Sequence, residues 1–253
     1  MSLNRSRSNL SKKSKSKSKT RKPNRGMMLN EKTDFSVIEG YKAARTNLMF
    51  LGGGEKCPVI AFTSSIPGEG KTTTCINMAI TFAQAGFKTL LIDADMRKIQ
   101  LYHYFSVPAK PGLSEVLAGM EEEVPVHETP YENLKLLTGG TIPPNPAELL
   151  MSKKMDEVLE RLRGEYEYIF IDTPPVLAVT DAAALAPKGT GMLMMARQDY
   201  TKAEDIRQTL EDLNRVGAKV VGILFNGFNA EAHSYKYKGD YHYRYYETYE
   251  TKR

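Results

Sequence analysis

Short apolar runs alternate with helix-length segments along most of this 253-residue chain. Six runs predict strands, and several of them are apolar throughout, which is typical of strands covered on both faces. They are residues 59–62, 89–92, 134–137, 168–171, 192–195 and 220–224. Strands separated by helices predict an α/β fold: a doubly wound, mostly parallel sheet with helices on both faces.

The segment before the first strand predicts an amphipathic helix. Ser36 and Glu39 have the spacing of a capping box, and three glycines at 52–54 mark the end of the helical pattern. Its apolar positions are Val37, Tyr41, Ala44, Leu48 and Leu51. We therefore expect the first helix of the domain to open at Ser36.

Charge divides the chain into three parts. Residues 1–26 hold ten basic residues and no acidic one, whereas the other 227 residues hold 25 basic and 30 acidic residues. The Ser/Lys-rich start has almost nothing apolar to bury, so it predicts a disordered basic arm over residues 1–29. We expect one folded domain over residues 30–228 and a flexible, tyrosine-rich tail over residues 229–253.

Composition also bears on the compartment. No uncharged apolar run approaches the roughly 18 residues that a membrane span needs, and no apolar segment of a secretory signal follows the basic start. Cys57 and Cys75 are too few for a disulfide framework or a zinc site. These features predict a cytoplasmic protein.

A glycine-rich segment follows the first strand and carries the most specific chemistry. It reads SSIPGEGKT over residues 64–72 and matches the Walker A phosphate loop, except that Ser65 replaces the first glycine. In such a loop the backbone N–H groups surround phosphate oxygens, Lys71 reaches the β- and γ-phosphates, and the Thr72 hydroxyl can hold Mg²⁺. The nucleotide contacts expected here are Pro67, Gly68, Glu69, Gly70, Lys71, Thr72 and Thr73.

Three aspartates stand at the carboxyl ends of two later strands: Asp93, Asp95 and Asp172. Ligands of open α/β sheets bind beyond these strand ends, so the carboxylates should converge on the phosphate loop. Three carboxylates beside a triphosphate need a cation between them, and we expect Mg²⁺ to be held by Thr72, Asp95 and Asp172, the last through water. A solvated loop residue or a helix cap is the alternative for any one of these aspartates.

With these motifs the chain resembles the bacterial tyrosine kinases, P-loop proteins of the partition-ATPase type that regulate capsule and exopolysaccharide export. The resemblance covers almost everything from Ser36 onward. It is carried by residues 64–72, 90–97, 140–150 and 168–175 and by the tyrosine-rich tail. Partition and cell-division-site ATPases are similar too, but they carry a signature lysine where this chain has Ile66. A partition-type ATPase switch without kinase activity stays the alternative.

The resemblance implies an ATP- and Mg²⁺-dependent protein-tyrosine kinase in which Lys71, Asp93, Asp95 and Asp172 are catalytic. A phenol has a pKa near 10, so a carboxylate that accepts its proton is useful; we favour Asp93 as this base, with Asp95 supporting the metal. Asn226 resembles the adenine-contacting Asn of the family, or is a turn residue before a glycine. The tail, with half of the chain's 14 tyrosines, would supply acceptors that are phosphorylated in trans. These acceptors are Tyr235, Tyr237, Tyr241, Tyr243, Tyr245, Tyr246 and Tyr249.

The first helix resembles the oligomerisation motif of the family. Its residues Glu39, Lys42 and Arg45 would contact the next subunit of a ring-like homo-oligomer, although Lys42 stands where Arg is usual and offers a point charge without a bidentate fork. Ordinary pairing within an exposed helix is the alternative.

The resemblance also implies further partners: a membrane adaptor and activator of the polysaccharide chain-length type, which would hold the kinase at the inner face of the plasma membrane, and a cognate tyrosine phosphatase. The basic arm could bind an anionic membrane surface with about 1 kcal/mol per well-placed Lys or Arg. A solvated tail without function is the alternative, and nucleic acid is not expected as a partner.

Overall fold

The computed structural model describes residues 25–51 and 54–227. Seven strands form within these residues: β1 (Val59–Ser64), β2 (Thr89–Asp93), β3 (Val126–Glu128), β4 (Leu134–Leu137), β5 (Tyr168–Asp172), β6 (Gly191–Arg197) and β7 (Val220–Asn226). They make one sheet in the order β3-β4-β2-β5-β1-β6-β7. Every neighbouring pair is parallel except β3 with β4. The predicted α/β fold with a mostly parallel sheet is confirmed, and each of the six predicted strands is present.

Strand β3 is the one element of the sheet that the apolar runs did not predict. It has three residues, pairs antiparallel with β4 through Val126 and Leu137, and is only partly buried. A strand this short at a sheet edge has too few inward-facing side chains to give a pattern.

Helices cover both faces of the sheet. They are α1 (Phe35–Leu51), α2 (Lys71–Gln84), α3 (Leu101–Phe105), α4 (Leu113–Leu117), α5 (Pro146–Met151), α6 (Lys153–Arg163), α7 (Asp181–Leu185) and α8 (Ala203–Arg215). Alternate residues of β1 serve two separate cores: Ile60 and Phe62 pack with α1, α2 and α3, whereas Val59 and Ala61 pack with α4 to α8. Because both faces are covered, the central strands are apolar throughout.

Helix α1 differs from its predicted form. It begins at Phe35, so Ser36 lies inside the first turn and is not the residue that caps it. Of its predicted apolar face only Leu48 is fully buried, whereas Val37 is 44% and Leu51 is 45% exposed. The helix packs mainly on α2, and one helix covers only a narrow stripe of another.

Packing begins before residue 30, the predicted start of the domain. Met28 and Leu29 are buried in the core that α1, α2 and α3 form on one face of the sheet. The Leu29 N–H donates to Asn77 Oδ1 at 3.0 Å. The Asn77 side chain in turn donates to the Met27 carbonyl at 3.0 Å. The last residues assigned to the basic arm therefore belong to the packed domain. Residues 1–24 and the tail from residue 228 onward lie outside the described residues, so their predicted character stays a prediction.

Cys57 and Cys75 are both free and buried. None of the helices in residues 25–51 and 54–227 combines the length and the apolar character that crossing a membrane requires.

Candidate active site

The glycine-rich loop connects β1, which ends at Ser64, to α2, which begins at Lys71. Gly68 and Gly70 have φ of 95° and 89°, a left-handed backbone that side chains disfavour. Glu69 is buried and its carboxylate accepts a hydrogen bond from the Ile66 N–H at 2.9 Å, so the loop closes on itself. Its backbone is thus folded at the N-terminus of a long helix, where unpaired N–H groups favour anions.

Ser65, the departure from the Walker A pattern, is fully buried. Its Oγ accepts a hydrogen bond from Thr209 Oγ1 of α8 at 2.9 Å, and neither residue is exposed. The hydroxyl that replaces the expected glycine therefore ties the start of the loop to α8.

Lys71 lies between two of the predicted aspartates. Its Nζ is 2.8 Å from Asp172 Oδ1 and 3.6 Å from Asp95 Oδ2, and it also donates to Thr72 Oγ1 at 3.2 Å. Burial lowers the pKa of Lys71, but the two carboxylates outweigh burial and the net shift is upward. Burial raises the pKa of Asp95, and Lys71 opposes this rise. The ammonium group stays charged and balances part of the negative charge.

Asp93 is fully buried beside this cluster. Its Oδ2 accepts from the backbone N–H groups of Gln100 and Leu101 at 3.0 and 2.9 Å, so half of the carboxylate caps the start of α3. Its Oδ1 is buried with no hydrogen-bond partner among the described residues. Burial, followed by the charge of Asp172, raises the pKa of Asp93 to about 7. A carboxylate in this state can accept a proton near neutral pH.

The charges and spare oxygens fit a divalent cation held together with phosphates. Three carboxylates face one lysine, and Asp172 Oδ2 is a second buried oxygen without a hydrogen-bond partner in the described part of the chain. Among residues 25–51 and 54–227 no group of three or more His, Cys, Asp or Glu side chains could hold a metal ion by itself. Mg²⁺ commonly uses one or two protein carboxylates and takes its other ligands from phosphates and water. Thr72, Asp95 and Asp172 are the residues that could hold it.

An open groove of about 830 Å³ adjoins the loop. Gly68, Gly70 and Thr73 line one side, Asn226 and Arg197 another, and residues from Gly26 to Val37 a third. Asn226 lies at the end of β7, where its Nδ2 donates to the Glu69 carbonyl at 3.2 Å. Four of the predicted nucleotide residues, Gly68, Gly70, Thr73 and Asn226, thus share one groove, and the N-terminal segment that borders it was not predicted to take part.

Two further contacts near the site had no signal in the sequence. The Arg97 guanidinium, which follows β2, binds buried Asp181 at the start of α7 through two hydrogen bonds of 2.9 Å each. Arg197, the last residue of β6, and Tyr200, in the turn that follows, donate hydrogen bonds to carbonyl groups of the glycine-rich loop. Charged and aromatic residues in surface turns are common, and nothing local marks these as neighbours of the loop.

The predicted oligomer contacts lie together on α1. Glu39 and Lys42 form an ion pair of 2.7 Å within the helix, and Arg45 donates to the Thr81 carbonyl of α2 at 2.9 Å. These contacts are those of a single subunit, and a role between subunits stays a prediction. The seven tail tyrosines lie outside the described residues.

Comparison with known proteins places this arrangement in a family. A family model described as an AAA domain matches residues 57–221. The tyrosine-protein kinase YwqD of Bacillus subtilis is 39% identical over 205 residues, which are 79% of this chain and 86% of YwqD. EpsB of Ralstonia nicotianae is 36% identical over 228 residues, and these cover 89% of this chain but only 30% of EpsB. The chain therefore corresponds to one part of that longer relative.

Solved structures agree with the sequence relatives. The kinase domain of the Escherichia coli tyrosine kinase ETK is 34% identical with a TM-score of 0.73, covering 76% of each chain. The septum site-determining protein MinD of Pyrococcus horikoshii, solved with Mg-ADP, is 25% identical with a TM-score of 0.58 and covers 70% of this chain and 75% of its own. The likeness is thus greater to the kinase domain than to this cell-division protein.

Proposed function

Because this chain belongs to the family of bacterial tyrosine-protein kinases, we propose that it transfers the γ-phosphoryl group of Mg²⁺-ATP to tyrosine, including tyrosines of its own tail. The observation that carries this is the position of Lys71. It extends from a left-handed glycine loop to within 3.6 Å or less of two strand-end carboxylates. A phosphate cradle and a cation site therefore meet at one point.

Each residue of the site has a distinct task. The loop N–H groups and Lys71 bind and orient the phosphates, while Thr72, Asp95 and Asp172 would hold the cation. Bound Mg²⁺ would neutralise charge that develops on the phosphate oxygens. Asp93 accepts the tyrosine proton through its unpaired Oδ1, because its other oxygen is occupied by backbone N–H groups. Asn226, at the end of β7, would contact the base.

The decisive experiment maps phosphate on the purified chain after incubation with Mg²⁺ and labelled ATP. Mass spectrometry should find phosphotyrosine chiefly between Tyr235 and Tyr249, and Asp93→Asn should abolish labelling while leaving nucleotide binding. A chain truncated after Asn229 should lose most of the label yet still bind nucleotide. Phosphate confined to Tyr131 or Tyr166, or full labelling of Asp93→Asn, would refute this assignment.

A partition-type ATPase switch is the second candidate, favoured by the likeness to MinD. Ile66 opposes it, because the apolar side chain stands where those ATPases use a signature lysine. Mg²⁺-dependent hydrolysis of ATP to ADP and phosphate, without any phosphotyrosine, would favour the switch over the kinase.

The assembly we propose is a ring-like homo-oligomer joined through Glu39, Lys42 and Arg45. It would dock on a membrane adaptor at the inner face of the plasma membrane, and a tyrosine phosphatase would reverse its phosphorylation. Its function would be to regulate capsule or exopolysaccharide export. The basic arm would add a salt-sensitive attraction to anionic lipid. Equal co-sedimentation with anionic vesicles by the full chain and by a chain starting at Met27 would exclude that attraction.

A further inference from the structure

Three successive carbonyl groups of the glycine-rich loop each accept a hydrogen bond from a side chain outside the loop. The contacts are Tyr200 Oη to Pro67 O at 2.8 Å, Arg197 Nη1 to Gly68 O at 3.2 Å and Asn226 Nδ2 to Glu69 O at 3.2 Å. All three donors come from the β6–β7 side of the site. Three consecutive peptide groups of the loop are therefore each held in orientation by one hydrogen bond.

Fixing a carbonyl also fixes an N–H group. A trans peptide is planar, and its C=O and N–H point in opposite directions. The contacts to Pro67, Gly68 and Glu69 thus turn the N–H groups of Gly68, Glu69 and Gly70 away from the donors. These are the middle N–H groups of the phosphate cradle, where a concave row of N–H groups binds anions.

The turn between β6 and α8, residues 198–202, carries one of these donors, Tyr200, and directly follows another, Arg197. Asp199 has φ of 56°, which reverses the chain so that the Tyr200 N–H donates to the Arg197 carbonyl at 3.3 Å. The Arg197 guanidinium lies 5.4 Å from the centre of the Tyr200 ring. Thr201 hydrogen bonds to the Glu69 carboxylate and accepts from the Arg197 N–H at 2.8 Å. The turn is thus internally braced and attached to the loop at several points.

Of the three side chains that donate to the loop, Tyr200 is the one whose position nothing else in the fold explains. Its side chain is 46% exposed, yet its hydroxyl group turns inward to the loop. A Cβ atom at Gly68 would lie 3.0 Å from Tyr200 Oη, so the close approach also needs glycine at that position. An exposed tyrosine with its only polar atom on a phosphate-loop carbonyl contributes little to the core and acts on the loop.

We propose that Tyr200 and Arg197 are positioning residues that orient the phosphate-binding N–H groups of the loop. This rests on the nucleotide site of the proposed function and does not depend on which tyrosines are phosphorylated. Neither residue needs to touch the nucleotide, because each acts through the peptide that it holds.

The test is the affinity of the full chain for MgADP, measured by titration calorimetry, together with the urea midpoint of the nucleotide-free protein. Tyr200→Phe removes one hydroxyl group and keeps the ring, so we expect affinity to fall about three- to tenfold, the range of one neutral hydrogen bond. The urea midpoint should stay at the wild-type value, since the lost hydrogen bond lies at the surface. The KM for ATP should rise by more than kcat falls.

Tyr166→Phe is the matched control, because Tyr166 precedes β5 at the opposite end of the sheet and its loss of a hydroxyl group should leave MgADP affinity unchanged. Arg197→Lys keeps the charge but loses the planar fork, and should weaken affinity without moving the urea midpoint. Unchanged affinity in Tyr200→Phe, or a loss of affinity that follows a loss of stability, would overturn the inference while the proposed function stands. Failure of the wild-type chain to bind MgADP would overturn both.

Discussion

Replacing Lys71 by Met should destabilise the nucleotide-free protein as well as stop catalysis. The Asp172 side chain is fully buried and the Asp95 side chain is 8% exposed, and Lys71 is the cation that pairs with both. Removing one partner of a buried ion pair leaves an uncompensated charge and costs about 3–5 kcal/mol. We expect a value near the lower end, about 3 kcal/mol, because the edge of the site borders solvent.

The assay is urea unfolding without nucleotide, followed by far-UV circular dichroism. The chain has no Trp, so tryptophan fluorescence cannot report on unfolding. With a slope of about 2 kcal/mol per molar urea, a loss of about 3 kcal/mol lowers the midpoint by about 1.5 M. The double variant Lys71→Met with Asp172→Asn should recover more than half of this loss, since it removes the orphaned charge. Lys154→Met, which breaks an exposed pair of 3.2 Å with Glu157, should cost about 0–1 kcal/mol.

Two results would contradict this reasoning. Equal midpoints for the wild type and Lys71→Met would mean that the carboxylates need no cation in the folded protein. A double variant less stable than Lys71→Met would mean that Asp172 stabilises the fold by contacts other than the ion pair.

Three further changes test separate parts of the structure. Gly70→Ala should reduce MgADP affinity at least tenfold, because its Cβ would lie 2.0 Å from Asn226 Nδ2. Gly86→Ala is the matched control: its backbone is also left-handed, but its Cβ would meet open space. It should therefore cost stability by a similar strain and leave the affinity measured by calorimetry intact. Glu115→Gln should cost about 1 kcal/mol at pH 7, and in urea titrations the cost should shrink as pH falls below about 4.5. Burial raises the pKa of Glu115, but hydrogen bonds from neighbouring hydroxyl and N–H groups outweigh burial, so the net shift of this pKa is downward. A carboxylate whose pKa is lowered in the folded protein loses its stabilising effect on acidification. Glu39→Lys should give monomers in light scattering if α1 joins the subunits, whereas its effect on unfolding should be about 0.5 kcal/mol or less; an unchanged oligomer would exclude this contact.

The sequence determined the elements whose signals are local. Apolar runs such as 168–171 predict buried strands because each run must be covered on both faces wherever it lies. The glycine-rich segment at 64–72 predicts a phosphate loop because its pattern is local, and the glycines at 68 and 70 allow the left-handed backbone that the structure has. The three aspartates could be assigned to one edge of the sheet because parallel strands end at the same side.

Other features depended on packing between distant parts of the chain. The start of α1, the burial of Met28 and Leu29 and the short strand β3 each depend on which neighbour covers them. The same applies to Asp93: the sequence left a helix cap open as the alternative to a site residue, and the structure shows that one of its oxygens caps α3.

The contacts that hold the phosphate loop show why tertiary structure decided the rest. Tyr200 is 133 positions from Pro67 and Arg197 is 129 positions from Gly68, and Lys71 is 101 positions from Asp172. A hydrogen bond acts over about 3 Å, so its partners are chosen by where the sheet order brings strand ends together. Local sequence therefore specified the loop, and only the side-by-side arrangement of β1, β5, β6 and β7 determined which side chains hold it and where Lys71 points.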